Sequence, residues 1–523
     1  MFFAEAVQLR KKTQLRILPP TPETNWRPPA YWPNLAAAKA IGFDLEVKET
    51  DFERGPGWAR GKANACGLSV SAFDGNRFDS WYFPTAHEIE PEYNLDPSRV
   101  WAWAKDTLSG QQPKFGANLT YDVGNLSDLG ISPGGPLYDC QFAESLLNEE
   151  GEVNLGHLGL KYCGVGKETN QLYAWLREAY GEDKYDQREN IYRASPRLAG
   201  PYAEQDAALP LQVLMKQWPE LEKQNLLKVF EMECGLIRLM VEMRRKGVQI
   251  DLDRAEKTYG ELTPLIDAER LKLKELSGVW ANVNAPADIV KVFDRLGIAY
   301  PRTEKGAPSF RKDWLKTVEH PAAKLILDIR AMEKIQSTFI RSYILESNVK
   351  GRVHGQFHLL RSDEDGTRSG RLSSSTPNLQ NIPSRSALGK TIRKLFIPDL
   401  GHVAWEKGDY SQIEYRMLVH FAVGDGADAV RAQYNADPKT DYHRLTQRLV
   451  KETAGVLIPR NAEESSKGNG EFGNLTIKEI NFGLLYGMGE GKLAKMAKLD
   501  KKMSRTVFDA YHSGNPYVKA TMK

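Results

Sequence analysis

The sequence predicts a multidomain α/β protein, and three observations carry that prediction. At 523 residues the chain is too long for one ordinary domain and can bury several cores. Up to about residue 209, short apolar runs alternate with helix-like segments. Beyond that, long amphipathic helices take over, and from about residue 348 strands and helices mix again.

Composition narrows the class. Hydrophobic residues make up 41% and charged residues 27%, a globular balance. The net charge of +3 excludes nucleic-acid binding by a global field and leaves it to local clusters. The four cysteines, Cys66, Cys140, Cys163 and Cys234, form no CxxC pair, so free thiols in a reducing compartment are expected rather than structural zinc. The opening MFFAEAVQLRKKTQL turns polar too early for a signal peptide, and no apolar run approaches about 18 residues. A cytoplasmic protein with no membrane partner is expected.

The elements follow in order. Residues 1–35 are rich in Pro and Trp and predict an irregular arm. AIGFDLEV from Ala40 predicts a buried strand, ANACGLSVSAF its neighbour, and LYDCQFAESLLNEE a helix, together an α/β domain over 36–209. Residues 210–347 predict a helical region whose clearest helix, LLKVFEMECGLIRLMVEMRRKG, is capped by Gly247. Residues 348–425 mix strands and helices, with VAWEKG as a strand leading to Asp409. Residues 426–523 predict further helices, interrupted near residue 470 by KGNGEFGN, a Gly/Asn loop.

Asp44 and Glu46 lie two apart, so a strand points both side chains to one face. Like charges placed so closely call for a cation, although a solvated edge strand would also tolerate them. Further on stand Asp122, ending NLTYD, and Tyr202 and Asp206, one helical turn apart in YAEQD. The order DxE, NxxYD, YxxxD resembles the DnaQ-like (RNase H-like) 3′→5′ exonuclease domain carried by family A DNA polymerases. That resemblance implies that Asp44, Glu46, Asp122 and Asp206 hold two Mg²⁺ or Mn²⁺ ions and that Tyr202 orients the attacking water.

The second half holds TRSGRLSSSTPNLQNIP, IRKLFIP, KGDYSQIEYR and LTIKEINFGLLYGMG, in that order. Lys478, Phe482 and Tyr486 recur every four residues, so a helix presents a cation and two aromatics along one face, suited to a triphosphate beside a stacked base. A plain amphipathic core helix accounts for Ile480, Leu484 and Leu485 but not for that lysine. The run KLAKMAKLDKKMSR places Lys492, Lys495, Lys498, Lys502 and Arg505 near one helical face, for DNA backbone or for solvent.

These motifs resemble family A (Pol I-like) DNA polymerases of phage type, and the resemblance extends from about residue 40 to the end. It implies a right-hand polymerase following the exonuclease: thumb over 210–347, partial palm over 348–425, fingers over 426–523. Asp409 becomes a catalytic metal ligand, again with two ions per site. His443, Lys478, Phe482, Glu414 and Tyr486 surround the incoming deoxynucleotide, with Glu414 beneath the sugar. Arg371, Asn378, Gln380, Asn381, Arg393 and Arg416 contact primer-template DNA, testing base-pair shape in the minor groove.

The pattern departs from the family in two places. The family's arginine eight residues before the helix aromatic is here Asn474, so its role passes to Lys467, Arg460 or a partner chain. The HDE-type segment that supplies a second palm carboxylate does not occur up to Lys523. The expectation is therefore one chain of a split polymerase, completed by a second polypeptide, with a truncated product as the alternative. No long thumb insertion of the thioredoxin-capturing kind is present. Two further readings stay open: a stand-alone 3′→5′ exonuclease whose polymerase-like half only grips DNA, and a non-catalytic DNA-binding scaffold.

Overall fold

The computed structural model describes residues 18–167, 170–181, 187–363, 365–384, 386–455, 457–460, 464, 476–497 and 499–522. Asn474, Lys467, Lys498 and the KGNGEFGN loop lie outside the described residues. The chain divides into two compact units, one ending at Trp405 and one beginning at Glu406.

The first unit opens on a five-stranded sheet. Strands β1 (Ala40–Glu49), β2 (Ala63–Phe73), β3 (Phe78–Pro84), β4 (Lys114–Gly116) and β5 (Leu137–Asp139) lie in the order β3-β2-β1-β4-β5. β1 runs antiparallel to β2, with Asp44 opposite Ser69 and Glu46 opposite Gly67, and parallel to β4. The central strand is buried almost throughout because helices cover it, as its nearly continuous apolar run requires.

Helices α1 (Pro97–Leu108), α2 (Leu119–Asp128), α3 (Cys140–Leu147), α4 (Leu155–Cys163), α5 (Asn170–Tyr180) and α6 (Pro196–Lys223) complete this layer. LYDCQFAESLLNEE is not one helix as expected. Its first three residues form β5, and the Asp139 carboxylate accepts from the Gln141 N–H, capping α3 and fixing where strand becomes helix.

Helix α6 presses onto β1 through a glycine. A Cβ on Gly42 would stand 2.0 Å from the Ala207 carbonyl oxygen, so strand and helix meet at a distance that only glycine permits. Ala207 follows Asp206 directly, so this contact brings the Asp206 turn of the helix down over the Asp44 strand. Gly42→Val should therefore destabilise the unit by about 3 kcal/mol and impair metal binding at Asp206. Urea unfolding followed by cation titration checks it, and a variant of unchanged midpoint would remove the close approach as a determinant.

Helix α6 runs unbroken across residues 209 and 210, where a domain boundary was expected. Helix α7 (Leu227–Lys246) then packs into the same core, where Phe230, Ile237 and Val241 join Phe43, Leu119 and Leu126. It stops at Gly247, whose φ of 61° ends the helix as expected. Helices α8 (Leu252–Ser277), α9 (Pro286–Arg295) and α10 (Pro321–Lys334), with a π-helical stretch Ile335–Leu345, surround a second core of Ile266, Phe293, Ile326, Phe339 and Ile344.

Strands β6 (Val248–Gln249), β7 (Asn348–Val349) and β8 (Arg352–Val353) form a small sheet, and β9 (Gln356–His358) pairs antiparallel with β10 (Ser373–Ser375). The expected strand at VAWEKG is absent. Residues 401–410 are exposed and without regular structure, and Leu400 and Val403 are fully exposed. Alternation of apolar residues does not hold a strand unless its N–H and C=O groups find a neighbour, and none of the described strands pairs with this segment.

The second unit is helical among its described residues: α11 (Ile413–Phe421), α12 (Ala427–Ala436), α13 (Tyr442–Ala454), α14 (Ile477–Leu485), α15 (Glu490–Ala497), α16 (Lys501–Gly514) and α17 (Pro516–Thr521). Its core joins Tyr415, Tyr442, Ile480, Leu484, Val507 and Tyr511. The lysine-rich run does not share one helical face. Asp500 accepts from the Met503 N–H and starts a new helix, separating Lys492 and Lys495 from Lys502 and Arg505. All four cysteines are free. Among the described residues, no helix is long and apolar enough to cross a membrane.

Candidate active site

In the first unit the carboxylates expected to share one site do converge. Asp44 and Glu46 descend from one face of β1, and Asp206 arrives from α6; each offers a ligand atom within 4.8 Å of the others. Asp122, in the first turn of α2, is turned toward the same strand, where it accepts from the Leu45 N–H at 3.1 Å. These side chains line a cavity of about 470 Å³.

The electrostatics are those of a site short of positive charge. Burial, then the Asp206 charge, pushes the Asp44 carboxyl up to about 8. Burial followed by the charges of Asp44 and Asp206 drives Glu46 well above the usual carboxylate range. Asp122 is raised too, by burial and then by Asp44, with the Leu45 N–H pulling the other way. Asp206 Oδ1 is buried and has no hydrogen-bond partner among the described residues, while Oδ2 pairs with Lys167 Nζ at 2.6 Å. An all-oxygen donor set with one buried oxygen unsatisfied fits a hard divalent cation.

Tyr202 stands one turn before Asp206 on α6, buried, its hydroxyl 3.2 Å from Lys167 Nζ and 3.1 Å from the Tyr173 hydroxyl. Lys167 and Tyr173 escaped the sequence reading because neither shares a spacing with the carboxylates. The cavity has another unexpected wall, formed by Gln356, His358, Ser375 and Thr376 from the β9–β10 ribbon. Its one signal was Gln356 and His358 alternating with apolar neighbours, a polar face turned inward.

The RLSSSTPNLQNIP segment continues from that ribbon. Asn378 caps the short turn Leu379–Asn381, accepting from the Gln380 N–H, and the Gln380 amide donates to the Leu372 carbonyl at 2.9 Å. Arg371, Gln380, Asn381 and Arg393 are exposed.

In the second unit, two helices bring together His443, from α13, and Lys478 and Phe482, one turn apart on α14. The His443 ring lies 5.9 Å from the Phe482 ring, and Lys478 Nζ stands 5.9 Å from the same ring centre. Tyr415, next to Glu414, stacks on Tyr442 at 4.5 Å and meets His443 edge-on. Burial holds the His443 imidazole down to about 4, so it is neutral at pH 7. Its Nδ1 accepts from the Asn481 amide at 3.1 Å, which leaves the proton on Nε2.

Tyr486 is exposed at the end of α14 and is followed by Gly487 at φ 78°, closing the helix as expected. Asp409 and Arg416 have surroundings that the sequence did not show. Asp409 is exposed rather than set at the end of a buried strand. The Arg416 guanidinium donates to the Ser411 and Pro438 carbonyls, at 2.8 and 2.5 Å, so it braces the loop before α11. Arg460 is paired with the Asp441 carboxylate at 2.5 Å.

Comparison with known proteins settles the family. The family model for DNA polymerase family A matches residues 253–523. This chain belongs to DNA polymerase family A. It is 30% identical over 517 residues to a DNA-directed DNA polymerase of Pseudomonas phage M6, covering 92% of this chain and 72% of that one. It is 31% identical to DNA polymerase DpoZ of Acinetobacter phage SH-Ab 15497, across 80% of this chain and 68% of the relative. With DNA polymerase I of Pseudomonas aeruginosa it shares 28% identity, spanning about half of that longer protein. Among solved structures, the POL domain of Pol1 from M. smegmatis, in complex with DNA primer-template and dNTP, matches with a TM-score of 0.67 at 21% identity, over 93% of this chain and 75% of that one. The family A fold is thus shared, and the chain is an enzyme of this polymerase family.

Proposed function

We propose that the chain adds deoxynucleotides to a primer 3′ end and also removes mispaired ends through its own 3′→5′ exonuclease. The observation that carries the proofreading part is the gathering of Asp44, Glu46 and Asp206 within 4.8 Å around a cavity. Two divalent cations at each centre, Mg²⁺ or Mn²⁺, would activate the nucleophile and stabilise the negative charge that develops on the leaving oxygen. At the nuclease, Asp44, Glu46, Asp122 and Asp206 hold them, and the Tyr202 hydroxyl orients the attacking water.

On the polymerase side Asp409 is the metal ligand. Lys478 neutralises triphosphate charge, His443 donates through Nε2, and Phe482 stacks beside the base. Glu414 packs beneath the deoxyribose, and Tyr486 lies against the templating base. Arg371, Asn378, Gln380, Asn381 and Arg393 follow the minor groove and backbone of primer-template DNA. In this reading residues 36–209 are the exonuclease, 210–347 the thumb, 348–425 palm and 426–523 fingers. The second palm carboxylate comes from a second polypeptide that completes the palm.

A second reading, an exonuclease whose polymerase-like half only grips DNA, draws on the contrast between the gathered nuclease carboxylates and the exposed Asp409. A 5′-labelled primer-template with a mismatched 3′ end separates the two. With Mg²⁺ alone the label should shorten stepwise. With deoxynucleoside triphosphates and the remaining palm supplied, it should lengthen, and Asp409→Ala should stop only the lengthening. Shortening without extension under every condition would favour the second reading, and neither activity would leave only a DNA-binding scaffold.

A further inference from the structure

Lys167 is the cation that the expected nuclease constellation did not contain. Its ammonium pairs with Asp206 Oδ2 at 2.6 Å, donates to the Tyr202 hydroxyl at 3.2 Å, and lies 4.9 Å from the Tyr202 ring centre. Tyr202 and Asp206 stand one helical turn apart, so a group with three N–H donors on a flexible stem can bridge both at once. Asp206 Oδ1 meanwhile stays buried and without a hydrogen-bond partner. The lysine thus takes one carboxylate oxygen and leaves the other for a metal. Its charge also reaches Asp44 and Glu46, opposing the rise that burial and their acidic neighbours impose.

Resting on the exonuclease reading above, we propose that Lys167 is a positioning residue that fixes Asp206 and Tyr202 for hydrolysis and, as a resident positive charge, limits how tightly the site binds divalent cations. The two roles pull apart when the charge is removed. Losing an ammonium from a partly buried cluster removes its repulsion of an incoming cation, so affinity rises. Losing its hydrogen bonds frees the Tyr202 hydroxyl and the Asp206 carboxylate to rotate, so turnover falls. The Tyr173 hydroxyl also lies 3.1 Å from the Tyr202 hydroxyl, so the tyrosine is held by the lysine and by a second phenol.

Calorimetric titration of the full chain with MnCl₂ at fixed pH tests the affinity role without any reaction. Lys167→Met and Lys167→Gln should bind Mn²⁺ at least about tenfold more tightly, and Lys167→Arg should stay within about twofold of the parent. On a labelled single strand at saturating Mn²⁺, Lys167→Gln should lower kcat by about ten- to a hundredfold with KM little changed. Unchanged or weaker Mn²⁺ binding in folded neutral variants would overturn the proposal. If neither neutral variant folds, the arginine variant decides: a Mn²⁺ affinity more than about tenfold from the parent would overturn the charge role. A parent chain that binds Mn²⁺ but degrades no strand would defeat the exonuclease reading instead, and leave the titration to judge Lys167 by itself.

Discussion

Alanine at both Asp44 and Glu46 will cut 3′→5′ degradation by at least about a thousandfold and will raise the melting temperature of the metal-free protein. The two effects share one cause. The strand holds both acids on one face, Asp206 closes over them, and burial drives Asp44 and Glu46 up from their ordinary range. Without a cation those carboxylates are a cost to folding; with one they are the machinery. Removing them trades function for stability, a gain of about 3 °C or more in the first unfolding transition measured with chelator present. Primer extension should survive. A double variant that melted lower in chelator, or still shortened a labelled strand, would show that these acids do not carry the nuclease.

Stability of the metal-free chain will also fall as pH rises from about 5 to about 8, and Mg²⁺ will reverse the fall. The Asp44 carboxyl moves from 3.8 to about 8 on folding, and burial lifts Asp139 to about 7, with Glu46 and Asp122 displaced the same way. A raised acid keeps its proton in the folded state at pH values where the unfolded chain has released it. Its favourable contribution is therefore complete at low pH and is lost as pH climbs through the folded value. Cations bind the ionised carboxylates, so their stabilisation grows over the same window. Urea midpoints at pH 5 and pH 8, each with chelator or Mg²⁺, check this. A flat profile in chelator, or an equal Mg²⁺ effect at both pH values, would sink it. Asp44→Asn should flatten the slope.

Much of the carboxylate cluster was legible because its members sit on regular elements. The DxE pair obeys the two-residue period of β1, and Tyr202 with Asp206 obeys the turn of α6. The helix carrying Lys478 and Phe482 was legible for the same reason. What escaped depends on contacts distant in sequence. Lys167 reaches Asp206 across 39 residues of chain, and His358 reaches the cavity from far beyond the expected domain boundary. LYD at the head of α3 was hidden because an aspartate cap, not a change of hydrophobicity, divides strand from helix. VAWEKG misled in the opposite direction, having strand composition but no pairing neighbour among the described strands.

The ribbon that walls the nuclease cavity bears on modularity. Gln356 and His358 lie well over a hundred residues after Asp206, yet they face the same cavity as Asp44 and Glu46. A gene fragment cut at residue 209 would split α6 and discard both α7 and that wall. The nuclease is therefore not a cassette that recombination can lift out or replace at will. A change in the β9–β10 ribbon therefore reshapes the cavity that Asp44 and Glu46 line, and a change on β1 alters the surroundings of the ribbon.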